Sequence, residues 1–121
     1  SNEFVRLYNK STSIKVKSIK ENHCIVEIEI PDIDAIFTSA LKDFEPDTSL
    51  TFEENKNRLY NSINRELTSR DRAMKREETQ LLWAKEGNEY KIEENPELLE
   101  ILYGDFQKIA DKQINFIGGL E

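Results

Sequence analysis

Between residues 13 and 30 apolar side chains recur at every second position, first in Ile14 and Val16 and then in Val26, Ile28 and Ile30. That period is the signature of a strand with one covered face. Two such runs flank Glu21-Asn22-His23, which reads as a three-residue turn of a β-hairpin. In that register Ile14 faces Ile30, Val16 faces Ile28 and Ser18 faces Val26. On the other face Lys15 meets Glu29, Lys17 meets Glu27 and Ile19 meets Ile25. A slip of one residue would set lysines against apolar partners and lose both charge pairs.

The period changes elsewhere. Phe4, Leu7 and Tyr8 share one face of a short helix over residues 3–9. Pro31 ends the second strand and Asp32 caps a helix carrying Ile33, Ile36, Phe37, Ala40, Leu41 and Phe44. After loop chemistry at 45–50, Thr51 with Glu54 forms a capping box. The helix it opens has a thin stripe (Phe52, Leu59, Ile63, Leu67, with Tyr60 beside it) and ends near Ser69. Residues 71–80 suit either a continued helix or a strand. We read 72–85 as a long strand, its polar first half projecting beyond the core or running along an edge.

A turn at Gly87-Asn88 returns the chain as a strand over 89–94. A two-residue turn pairs Trp83 with Ile92 and Lys85 with Tyr90; a three-residue turn pairs Leu82 with Ile92 and Lys85 with Glu89. The first places the large aromatic over an apolar partner. Asn95-Pro96 then starts a helix with Leu98, Leu99, Ile101 and Leu102, which Gly104 stops. Asp105 caps a last helix carrying Phe106, Ile109, Ala110, Gln113, Ile114 and Ile117, ended by Gly118-Gly119. Two hairpins with segregated helices predict one α+β domain over residues 1–121, a curved antiparallel sheet with helices packed on one side.

Composition narrows function mainly by exclusion. The 121 residues fit a single core, but 37% apolar against 34% charged makes that core economical and the surface heavily solvated. A net charge of −7 argues against nucleic acid as a partner, because phosphate backbones attract basic surfaces. No apolar run is long enough to span a membrane, so membrane attachment would come only through an anchor outside this chain. The single cysteine, Cys24, cannot form an internal disulfide and reads as a small apolar residue at a strand start. The one histidine, His23, belongs to a turn.

The paired carboxylates Glu53-Glu54, Glu77-Glu78 and Glu93-Glu94 lie in charged surroundings unsuited to raising a pKa. Asp32, Asp34, Asp43, Glu45 and Asp47 lack the spacing of a calcium loop. No catalytic residue, cofactor or metal is therefore assigned. Arg70, Arg72, Lys75 and Arg76 read as a polar strand edge rather than a docking patch.

The segments "CIVEIEI" followed by "PDI" and a helix, and "LLWAKEGNEYKIEENPELLEILYGDF", resemble the NTF2-like (cystatin-like) domains of bacterial surface lipoproteins. The resemblance covers roughly residues 13–106. It implies a sheet curved into a cone, an extracellular, anchored location and a role in binding rather than catalysis. The chain departs from the family in its short N-terminal helix and in Tyr90, where Trp is usual. If the sheet curves, Trp83, Tyr90, Phe37 and Tyr103 would line its concave face and meet a protein or small-molecule partner. Alternatives are an enzyme or ligand pocket in the cone, and a homodimerising scaffold.

Overall fold

A computed structural model describes the backbone of residues 2–118 and the side chains of residues 3–109. The elements run α1 (Asn2–Lys10), β1 (Ser13–Ile19), β2 (His23–Pro31), α2 (Ile33–Asp43), α3 (Phe52–Leu67), β3 (Met74–Glu86), β4 (Glu89–Ile92) and α4 (Pro96–Gly118). The strands form one open antiparallel sheet in the order β1-β2-β3-β4. The α+β class expected from the sequence is observed.

Alternation in β2 builds the centre. Cys24, Val26, Ile28 and Ile30 are buried on one face, while Ile25, Glu27 and Glu29 between them are only half-buried. Helices cover the buried side. Ile33, Ile36, Phe37 and Ala40 of α2 and Leu59, Ile63 and Leu67 of α3 complete the core. From α1, Phe4, Leu7 and Tyr8 enter it together, as their spacing requires. Phe4 meets Tyr60 and Phe106 edge-on at 6.1 and 5.7 Å, and Tyr8 lies 4.8 Å from Phe106, so aromatic rings join α1, α3 and α4.

Local signals behave as their chemistry dictates. Asp32 Oδ1 accepts from the Ala35 amide at 3.1 Å. Thr51 and Glu54 form both bonds of the capping box. Asn95 Oδ1 accepts from the Leu98 amide at 2.9 Å, and its amide nitrogen donates to the Gln80 carbonyl at 2.7 Å, fixing the start of α4 to β3. Gly87, at φ 63°, opens a two-residue turn with Asn88. Trp83 accordingly pairs with Ile92 and Lys85 with Tyr90.

Three expectations are corrected. The first hairpin turns on Glu21-Asn22 alone, closed by Lys20 donating to the His23 carbonyl at 2.7 Å. Its register then brings Ile14 to Ile28, Lys15 to Glu27 and Val16 to Val26, and a bulge at Lys17 leads to Ser18 with Ile25 and Ile19 with Cys24. Neither turn residue has positive φ, so the bulge supplies the local twist that a primed turn would otherwise give. Lys17 still reaches Glu27 at 3.3 Å, whereas Glu29 is taken by Arg76 at 2.7 Å.

The polar first half of the third strand runs along an edge of the sheet, one of the two placements expected, and does not project. Residues 74–82 pair along β2, and the second half, with β4, runs on past it as a two-stranded ribbon. The return strand itself spans Glu89–Ile92, shorter than expected. Finally, Gly104 does not stop the helix and Asp105 does not start another. Leu98, Ile101, Leu102, Phe106 and Ile109 keep one unbroken helical phase across the glycine, and packing of that face outweighs its poor propensity. The side chains of Ala110, Gln113, Ile114 and Ile117 expected on that face, and Gly119, lie outside the described residues.

Candidate interaction surface

The bulge at Lys17 decides which way β1 points its apolar residues. Regular alternation would send Ile14 and Val16 to one face and Ile19 to the other. One extra residue restores Ile19 to the face of Ile14 and Val16, because its ladder partner Cys24 belongs to the buried row. All three thus lie on the helix side of the sheet, yet they are 52%, 52% and 71% exposed. Their partners Val26 and Ile28 are fully covered. The helical layer ends over β2 and leaves this row bare.

The bare face continues at the hairpin-turn end. Trp83 Nε1 donates to the Glu21 carbonyl at 3.2 Å and its amide donates to Asn22 at 3.1 Å, so β3 grips the first turn. Ile19, Lys20, Glu21, Trp83 and Tyr90 line a shallow cleft there. Lys85 lies 5.9 Å from the Tyr90 ring, and Tyr90 and Ile92 are exposed beyond it. Of the four residues expected on a concave face, Trp83 and Tyr90 are brought together. Phe37 is not among them: at 1% exposure it is a core residue under α2. Tyr103 stacks on Phe106 at 5.7 Å on α4 and does not line the cleft. Ile14, Val16 and Ile19 were missed as site residues. The signal was in the spacing, since an interval of three between Val16 and Ile19 breaks period two.

A second hollow, of about 530 Å³, separates α2 from α3. Its polar groups largely serve the fold. Arg58 lies over the Phe44 ring at 5.4 Å and donates to Asn55 Oδ1 at 3.1 Å, and Glu66 accepts from Ser39 at 3.4 Å. The ionisable groups that depart from ordinary behaviour are likewise structural. Burial pushes the Asp105 carboxyl up, but the hydrogen bond and charge of Lys75, with Lys108 beyond, outweigh it and hold it below the usual range. Lys75 and Asp105 meet at 2.5 Å and tie β3 to α4. Burial, with the charge of Asp105 nearby, raises the Tyr8 hydroxyl to about 12.

His23 Nδ1 lies 2.9 Å from Asn22 Oδ1 in the turn, and Cys24 is buried behind it. Among the described residues no group of three or more His, Cys, Asp or Glu side chains could hold a metal, and no helix is long and apolar enough to cross a membrane. Comparison with known protein families, with curated proteins and with solved structures found no match for this chain.

Proposed function

We propose that this chain is a non-catalytic binding or interaction domain whose contact surface is the uncovered helix side of the sheet. The observation that carries the reading is the bare row Ile14, Val16 and Ile19, set beside fully buried neighbours in the next strand. Contiguous exposed apolar surface rimmed by polar groups is the usual mark of an interaction site. The cleft at Trp83 and Tyr90 extends the same surface and is open rather than enclosed, which suits a macromolecular segment better than a small molecule. Affiliation with the NTF2-like (cystatin-like) domains, and an extracellular, anchored location, belong to the same proposal. Their support is the resemblance of the two strand-turn segments and the gathering of helices on one side.

Position-specific photo-crosslinking in the cells of origin tests the reading. A crosslinking residue at Val16 or Ile19 is expected to give a discrete adduct with another macromolecule. One at Glu53, exposed in the first turn of α3, is expected to give none. Equal labelling at all three positions, or no adduct at any, refutes it.

A further inference from the structure

Resting on that reading, we infer that β1 is a docking edge for an extended segment of a partner protein in which apolar residues alternate with acidic ones.

The backbone supplies the first argument. Among the described residues β1 is hydrogen-bonded along one side only, to β2, and its other side is the edge of the sheet. Such an edge is a template for one more strand. The ladder from Ser13 to Val16 is regular, and the bulge follows it.

Side chains fix the chemistry of that strand. On the helix side it must place apolar groups beside Ile14 and Val16, each half exposed where the helices end. On the other side it must meet Lys15 and Lys17. Lys17 is occupied, 3.3 Å from Glu27 and 4.0 Å from Glu78. Lys15 has no ion pair among the described residues, because Lys17 holds Glu27, the carboxylate opposite it in the ladder. The open cation therefore lies at the outermost strand, where only an incoming strand can answer it. Opposite charges directly across a ladder stabilise it and like charges oppose it.

The same lysines discriminate against a second copy of this chain. The antiparallel pairings of β1 with itself that set Val16 against Ile14, Val16 or Ser18 of the copy bring Lys15 opposite Lys15 or Lys17, or Lys17 opposite itself; the pairing centred on Ile14 avoids this but sets Val16 against Thr12, outside the strand. Lysines on an edge strand commonly serve to prevent such self-pairing. A partner strand of alternating valine and glutamate meets no such obstacle, and β2 itself, with Glu27 and Glu29 between apolar residues, shows that β1 accepts this alternation on its other side.

Three synthetic peptides test the inference by fluorescence polarisation: a Val-Glu alternating nonapeptide, its Val-Lys counterpart, and the acidic peptide N-methylated at alternate amides. The acidic peptide is expected to bind and to protect β1 amides from hydrogen exchange, and the N-methylated one to fail. Lys15→Glu should weaken the acidic peptide tenfold or more and transfer preference to the basic one. Because Lys15→Glu sets a second carboxylate against Glu27, Lys15→Gln is measured beside it: it should keep the parent's thermal denaturation and still weaken the acidic peptide. Absent or charge-blind binding, binding insensitive to Lys15→Glu, or a dimer by sedimentation equilibrium that Val16→Lys abolishes would overturn it. If the peptides fail while adducts still form at positions 16 and 19, the edge inference falls and the interaction reading stands. If both fail, both fall.

Discussion

Replacing Tyr8 by Phe should produce a stability difference that reverses sign with pH. Tyr8 is 1% exposed, and its hydroxyl donates to the Leu102 carbonyl, joining α1 to α4. The ring contact with Phe106 survives the substitution, so at neutral pH the variant loses chiefly one hydrogen bond, about 1 kcal/mol. At alkaline pH the balance changes. The folded hydroxyl keeps its proton up to about 12, against roughly 10 in an unfolded chain. A raised folded pKa contributes stability that is complete below the unfolded value and disappears as pH rises through the folded one. Wild type therefore loses up to roughly 2–3 kcal/mol between about pH 10 and about pH 12, a loss that Phe cannot suffer. The two stability curves should cross near about pH 11, where the loss from ionisation first equals the hydrogen bond's contribution. Paired urea titrations across this range measure it, and other titrating groups cancel in the difference. A gap that stays constant with pH, or no gap at neutrality, would refute the placement of this hydroxyl.

Two further substitutions probe the same helix. Asp105→Asn should cost about 1 kcal/mol at neutral pH after allowing for solvent screening, because it removes the 2.5 Å pair with Lys75. The Asp105 carboxyl is held low, so this contribution is present above the ordinary carboxylate pKa of about 4 and vanishes as pH falls through the folded value. Acid titrations of wild type and variant should converge there, and parallel curves would contradict the pair. Gly104→Ala should stabilise the chain by roughly 0.5–1 kcal/mol, since glycine is a poor residue inside a helix. A Cβ there would meet Glu100 Oε1 at 2.5 Å, the far end of an exposed, flexible side chain that can swing away. A lowered urea midpoint would show that Gly104 is needed for close approach.

Elements whose signals are local were legible in the sequence. Asp32, Thr51 with Glu54, and Asn95-Pro96 each mark a helix start through side-chain bonds made within three residues. The turn at Gly87 follows from the one backbone conformation that glycine adopts easily. What escaped depends on partners far away in sequence. Lys15 and Glu29 looked matched, but the two-residue turn and the bulge set Lys15 against Glu27, and Glu29 is held from the third strand by Arg76. Gly104 looked like a stop because the apolar phase on both sides was read as two helices. Phe37 was legible as part of an apolar helix face, but whether that face closes on β2 or borders a groove depends on how the helices lie over the sheet. The bare row on β1 was half legible: its residues were seen to alternate, but exposure depends on how far the helical layer reaches, which no local period encodes.

The extra residue at Lys17 has a consequence for how this segment tolerates change. Substituting another polar residue there alters little, for its side chain is already solvated. Deleting it would remove the bulge and leave a regular ladder in which Val16 still meets Val26, Ser18 still meets Ile25 and Ile19 still lies against Cys24. Here a single missing codon should flatten the twist of the edge while leaving the apolar row, and nearly every rung of the ladder, in place.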